Sequence, residues 1–322
     1  MATPLPTGQA PAASLIESVD ARTKLAGSNR MEILLFSLGT NETFGINVFK
    51  VREVSKTPTI TKSPHMPEGV EGLISLRGNV IPVVSLARVM HLADAPPGRG
   101  GSMMVTEYSK RTLGFLVHDV DRIIRVDWER VRAPESVTSG SHTHITAITE
   151  LDNGKLVSIV DVEQIMANTF GEGVIGQIDH MGHDVDYNVF FVDDSSVARK
   201  KIIEVLEKMG VKHKHAQNGM EAWTRLSGMA AHAQQTGQDL RSEVNVILVD
   251  AEMPEMDGYV LTKHIKSDKR FEGIPVVMHS SLSSEANRSM GKSVGVDAYV
   301  AKFDPEALSD TLRPLLLRSA RD

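Results

Sequence analysis

The chain has 322 residues, enough for two or three domains, and its 41% apolar and 24% charged residues are the balance of globular domains. It carries no cysteine, which excludes disulfides, thiolate metal sites and cysteine nucleophiles. A formal net charge of -6 argues against a nucleic-acid-binding surface, and no apolar run approaches the ~20 residues that cross a bilayer, so a cytoplasmic protein without membrane insertion is expected.

Residues 1–29 read as a tail, with Pro4, Pro6 and Pro11 among alanines and threonines. Within it Ser14-Leu15-Ile16-Glu17 has the pattern of a capping box, and Leu15 and Val19 share one face of a short helix.

Residues 30–168 read as all-β. Candidate strands run over Ile33–Leu38, Phe44–Val54, Val80–Leu86, Met103–Tyr108, Leu113–Val120 and Leu156–Val160, the last preceded by an Asn153-Gly154 hairpin turn. The segment repeats itself weakly. Phe44-Gly45-Ile46-Asn47-Val48 parallels Leu113-Gly114-Phe115-Leu116-Val117, and Gly78 to Val84 parallels Gly154 to Val160. Each repeat closes on a short helical pattern, Ala87 to Met90 and Glu163 to Met166, so two small barrels side by side are expected. Catalytic chemistry finds no constellation here. His142 and His144 lack acidic partners for a zinc site, and Ser85 and Ser158 lack the elbow of a hydrolase nucleophile.

This segment resembles the CheW family of chemotaxis coupling proteins. The resemblance rests on Leu35 to Gly39, on Phe44 to Val54, and above all on Gly72-Leu73-Ile74-Ser75-Leu76-Arg77-Gly78-Asn79-Val80-Ile81-Pro82. It implies two SH3-like β-barrels and no catalysis. It also implies a bridge between chemoreceptor tips and the histidine kinase CheA, with Val51, Glu53, Gly72 and Arg77 as partner contacts. Ser85 stands where the family often has Asp, and either residue caps a helix. Arg77 has its own physical reading. It sits between an apolar strand and Gly78, so its guanidinium points outward, either as an interface anchor or as a solvated surface charge.

Residues 169–186 contain glycines and two histidines, His180 and His183, with no strand or helix period. They read as a linker that lets the two halves reorient.

Residues 187–322 alternate apolar runs with helical patterns, the mark of a doubly wound α/β sheet. Val189 to Val192 ends in Asp193-Asp194, Val246 to Val249 ends in Asp250, Ile274 to Met278 ends in His279-Ser280, and Ala298 to Ala301 ends in Lys302. In an open parallel sheet such strand ends form the ligand crevice. Two like charges ~4 Å apart cost about 4 kcal/mol at an effective dielectric near 20, so the three aspartates need a cation, and an all-oxygen site suits Mg²⁺.

With Met253-Pro254-Glu255-Met256-Asp257-Gly258 after Asp250, this part resembles a response-regulator receiver domain of flavodoxin-like fold. The resemblance implies that Asp250 is a phosphoacceptor, and that Mg²⁺ is held by Asp194, Asp250 and the backbone carbonyl of Glu252, with Asp193 on a metal-bound water. Ser280 and Lys302 would contact the phosphoryl group, and Tyr299 would turn inward as the switch residue. Two features depart from the family. Phe303 follows Lys302 where receivers usually have proline, so Lys302 is open to a different placement, and the stretch around Gly228 to Glu243 is lengthened.

Both resemblances in this order describe a CheV-type adaptor: a phosphorylation-regulated coupler of chemoreceptors and CheA, carried to membrane-bound receptor arrays by protein contacts. A phosphate sink that drains the kinase, or a stand-alone receiver with another output, is the alternative. A phosphatase of the haloacid dehalogenase type is disfavoured because Glu252 stands where a second Asp is needed, and no basic recognition helix follows the receiver.

Overall fold

The computed structural model describes residues 30–92, 101–108, 111–132, 144–171, 175–182, 185–253, 255–280 and 285–319. The capping-box helix at Ser14, His142, His183 and Pro254 lie outside the described residues.

The β-rich half contains β1 (Arg30–Ser37), β2 (Thr43–Asn47), β3 (Val51–Lys56), β4 (Val70–Leu76), β5 (Asn79–Ser85), helix α1 (Leu86–Val89), β6 (Ser102–Tyr108), β7 (Arg111–Val117), β8 (Asp119–Asp127), β9 (Ile145–Glu150), β10 (Leu156–Val160) and helix α2 (Val162–Phe170). They form two five-stranded sheets, ordered β8-β1-β2-β10-β9 and β3-β6-β7-β5-β4. The two repeats do not each build one sheet. β2 of the first repeat lies parallel to β10 of the second, and β5 of the first lies parallel to β7 of the second. The halves therefore exchange strands across a shared core containing Phe36, Phe44, Phe115 and Ile165.

The expected strand over Phe44–Val54 is broken by a 3₁₀ turn at Val48–Lys50, where the chain leaves one sheet for the other. Val48 and Val51 stay buried, and Lys50 at the end of the turn lines a cleft with Thr146 and Asp194. In this half β8 and β9 escaped the sequence reading, while β4 is the apolar strand expected before Arg77. β8 and β9 are edge strands, and β8 reads Asp-Val-Asp-Arg-Ile-Ile-Arg-Val-Asp, a charged pattern that blunts a sheet edge. Ser85 caps α1 by accepting a hydrogen bond from the Arg88 amide.

Arg77 and Gly78 form the two-residue turn between β4 and β5, both at positive φ (51° and 83°). A turn of this kind follows the right-handed strand twist.

In the second half, β11 (Asn188–Val192), α3 (Ser196–Met209), β12 (Lys212–Ala216), α4 (Gly219–Thr236), β13 (Val246–Asp250), α5 (Gly258–Ser267), β14 (Val276–Ser280), α6 (Glu285–Ser293), β15 (Ala298–Ala301) and α7 (Pro305–Ser319) alternate. All neighbouring strands are parallel, in the order β12-β11-β13-β14-β15. β13 is buried along its whole length, as its unbroken apolar run requires. The lengthened stretch is the end of α4, which runs to Thr236 and stops at the left-handed Gly237. Ala230 and Ala233 keep that extension on the core.

The described part of the linker is packed rather than free. Ile175 is buried in the second core, Lys208 donates to its carbonyl, Met181 donates to the Met209 carbonyl, and Arg313 donates to the Asp179 carbonyl. These contacts fix residues 175–182 to α3 and α7 of the second half.

Gly72 sits at φ 151°, and a Cβ there would run into the backbone carbonyl of Thr61. Gly72→Ala is therefore expected to cost about 1–3 kcal/mol, read as a lower melting temperature. An unchanged melting curve would show that this close approach is not needed.

Candidate functional site

Four strand ends meet at the carboxyl edge of the parallel sheet, beside β11 and β13, where the strand order reverses. Asp250 closes β13, Ser280 closes β14, Asp193-Asp194 follow β11 and Lys302 follows β15. The helix cap after β11 is Ser195, whose hydroxyl accepts from the Ala198 amide. Asp193 is thus not consumed as a cap. Its Oδ1 accepts from the Ser195 amide at 2.9 Å, and its Oδ2 faces Lys302 at 3.0 Å and His279 Nδ1 at 3.6 Å.

The turn after Asp250 explains its own residues. Met253 and Met256 are buried, Asp257 caps α5 by accepting from the Val260 amide, and Gly258 lies so close to the Asp250 carbonyl that a side chain has no room. The loop is thereby pinned under the carboxylate. Asp250 Oδ1 accepts from the Glu252 amide at 3.3 Å.

Lys302 reaches Asp250 Oδ2 at 2.8 Å. Phe303 beyond it is at φ 61°, and no peptide bond among the described residues is cis, so proline is not required to bring the ammonium to the site. The Lys302 amide donates to the Ser280 carbonyl, which ties the two strand ends together.

The aspartates Asp193, Asp194 and Asp250 bring carboxylate oxygens within 4.8 Å of one another. Burial pushes the Asp250 carboxyl well up; Lys302 opposes this, and the neighbouring aspartates reinforce it. Burial likewise lifts Asp194 to about 6 against the pull of Lys50 and Lys302. Burial also disfavours charge on Lys302, but Asp193 and Asp250 outweigh it and hold the ammonium protonated. Negative charge is under-compensated in an oxygen-only site, so the residues fit a hard divalent cation. Such an ion would be held by Asp194 and Asp250, with Asp193 behind them.

Tyr299 is largely buried, hydrogen-bonded to Ser280 and lying beneath the Arg288 guanidinium at 5.6 Å. Its phenol is raised to about 12, chiefly by burial. The ring expected to turn inward on phosphorylation is thus directed at Ser280 already.

Five residues of the β half reach this site, and none was expected there. The Lys50 ammonium pairs with Glu163 Oε1 at 3.3 Å, and Glu163 Oε2 lies 4.0 Å from Lys302. Asn47 donates to Glu252 Oε2 at 3.2 Å, Thr146 to Asp194 Oδ2 at 3.4 Å, and Ser196 to Gln164 Oε1 at 3.0 Å. Burial opposes charge on Glu163, yet Lys302 and Lys50 together hold its carboxyl at about 2. Burial lifts the Glu252 side chain to about 7. His279, buried against Asp193, was also missed. An apolar strand gives no signal for which of its positions faces a carboxylate.

The remaining expected contacts lie on the other sheet, away from this cluster. Arg77 is 78% exposed and ion-paired with Glu53, whereas Val51 is buried in the core and Gly72 is packed on Thr61. Of these four, only Arg77 and Glu53 have side chains that reach solvent. His144 is bonded to Asn168 at 3.2 Å.

A five-stranded parallel sheet with a carboxylate and lysine crevice, following a strand-exchanged pair of β-sheets, is the architecture of a β module joined to a receiver-like domain. Residues 32–170 match the CheW-like domain family, and residues 189–313 match the response regulator receiver domain family. The chain is 31% identical to Chemotaxis protein CheV3 of Helicobacter pylori over 281 residues, covering 86% of this chain and 89% of that one. It is 27% identical to Chemotaxis protein CheV1 of the same organism, covering 94% and 99%. Chemotaxis protein CheW of Klebsiella aerogenes is 27% identical, covering 45% of this chain and 88% of its own. This chain belongs to the CheV family of chemotaxis proteins, a CheW-like domain fused to a receiver. No described helix is long and apolar enough to cross a membrane.

Cation binding at this site is expected to tighten as pH rises. Asp194 binds a proton up to about pH 6, above the usual carboxylate range, and a proton there competes with the ion. Titration calorimetry with Mg²⁺ at pH 5 and pH 7.5 should give the tighter binding at the higher pH. Equal affinity at both would mean that Asp194 is not a ligand.

Proposed function

We propose that this protein is a phosphorylation-regulated chemotaxis adaptor. Its CheW-like domain couples chemoreceptor tips to the histidine kinase CheA within receptor arrays, and its receiver accepts a phosphoryl group on Asp250. The carrying observation is Lys302 held 2.8 Å from a buried strand-end carboxylate that adjoins two more. That arrangement gives a nucleophile and a fixed cation for the charge that develops on the transferred group.

In the transfer, one carboxylate oxygen of Asp250 forms a bond to phosphorus. The bond from phosphorus to the donor nitrogen or oxygen breaks, and its electron pair leaves with the donor, which takes up a proton. Lys302 meets the incoming equatorial oxygens, Ser280 donates its hydroxyl to one of them, and the Glu252 amide keeps Asp250 aimed. A bound divalent cation supplies neutralisation of the carboxylate cluster. Asp194 and Asp250 would be its side-chain ligands and Glu252 its backbone ligand, with Asp193 on its water.

The CheV relatives are chemotaxis proteins that align along most of this chain, across both domains, which supports an adaptor rather than an enzyme acting on other substrates. The coupling surface is assigned to the β4–β5 turn around Arg77, with Glu53 beside it and with Val51 and Gly72 shaping the strands beneath. Arg77 is a planar donor on a fixed turn, and its largely exposed ion pair contributes little to stability.

Two measurements check these roles. Acetyl phosphate with Mg²⁺ should add one phosphoryl mass to the wild type and none to Asp250→Asn. Labelling of the variant would move the acceptor elsewhere. Arg77→Glu should weaken capture of receptor or kinase about tenfold or more with an unchanged melting temperature, because hot-spot arginines carry binding rather than folding. Unaltered binding to both partners would remove Arg77 from the interface.

A further inference from the structure

The receiver site is not open to its surroundings. Asp250 is 2% exposed and Lys302 5% exposed. Part of what covers them belongs to the CheW-like domain. The 3₁₀ turn after β2 delivers Lys50, and the first turn of α2 delivers Glu163. The Glu163 carboxylate accepts a hydrogen bond from the Ser195 hydroxyl and approaches the same ammonium that holds Asp250. A small cleft remains between the domains, with Asn47, Lys50 and Thr146 on one wall and Asp194 and Glu252 on the other.

We infer that this face of the CheW-like domain, centred on Lys50 and Glu163, is an interaction surface whose partner is the unphosphorylated receiver site of the same chain. The inference rests on the assignment of Asp250 as phosphoacceptor and adds what occupies the site beforehand. Glu163 stands beside Lys302 where an anion on Asp250 has to draw that ammonium. A phosphoryl group needs both the volume above Asp250 and the donors of Lys302, and the docked face limits both. Docking and phosphorylation therefore oppose each other. By linkage, each weakens the other by the same factor. The docked state keeps the two domains together, and the loaded receiver releases the CheW-like domain.

The two faces differ in what they recognise. Arg77 is exposed on the β4–β5 turn beside a half-buried Glu53, placed to meet another protein while the chain is closed. Glu163 is buried and Lys50 half-buried against the receiver, where an ion pair is retained only if its partners stay in place. Replacing Glu163 by glutamine removes the charge that pairs with Lys50 and Lys302 while preserving shape, so it should loosen the closed state.

The natural absence of cysteine makes the test clean. Gln164→Cys with Ser196→Cys places two thiols on side chains that touch across the interface. Disulfide formation between them is followed on the full chain, with and without beryllofluoride and Mg²⁺, while phosphoryl uptake from acetyl phosphate is followed by mass. Beryllofluoride should slow crosslinking about fivefold or more, the lower end of ordinary coupling between sites. Adding Glu163→Gln should slow crosslinking without beryllofluoride and speed phosphoryl uptake. Crosslinking that is unchanged by beryllofluoride, in a chain that still takes up phosphoryl on Asp250, would overturn the docking inference and leave the adaptor reading intact. No uptake on Asp250 would instead overturn the reading on which it rests. Should the glutamine variant not fold, the beryllofluoride comparison in the cysteine pair still decides.

Discussion

The Lys302 ammonium lies 2.8 Å from Asp250, 3.0 Å from Asp193 and 4.0 Å from Glu163. It is buried, and so are the three carboxylates. Removing any one partner would leave charge without compensation in a medium that solvates it poorly. Two of the carboxylates come from the receiver and one from the CheW-like domain, so a single cation joins receiver chemistry to domain arrangement. The strand ends, the pinned loop after Asp250 and the first turn of α2 all serve to hold these groups in register.

The charge balance of the cluster differs between its two sides. Burial leaves Asp194 and Asp250 with raised carboxyls, while the nearby ammoniums hold Glu163 low. The receiver side thus retains unmet demand for positive charge, and the CheW-like side has its demand met. A divalent ion would meet the first, whereas a phosphoryl group adds negative charge that competes with Glu163 for Lys302. Lys50 owes its raised protonation to Glu163 and then Asp194, against the cost of burial, so it too senses changes on both sides.

Much of this was readable in the sequence because the physics there is local. An unbroken apolar run ending in Asp250 marks a fully buried parallel strand, and Met253 to Gly258 pack and turn as their types require. Arg77-Gly78 reads as a turn because the next strand begins at once. What was not readable depends on distance in three dimensions. Glu163 follows the Asp161 cap in the first turn of α2, a placement that helix dipoles favour anyway, so nothing local distinguishes it from an ordinary surface acid. Lys50 lay inside what looked like one continuous strand until the 3₁₀ turn broke it. The strand exchange between repeats was hidden because a repeat pattern fixes similarity and not pairing. The linker glycines suggested freedom, yet Ile175 and Met181 bind the segment to the receiver.

The central claim is that the state of Asp250 governs what the CheW-like domain can do for its partners. The most direct measurement is the affinity of the full chain for chemoreceptor tip and kinase, taken with and without beryllofluoride and Mg²⁺, in wild type and in Asp250→Asn. The account predicts a change of about fivefold or more in the wild type and none in the variant. Equal affinities in the wild type, under conditions where beryllofluoride occupies the receiver, would contradict it.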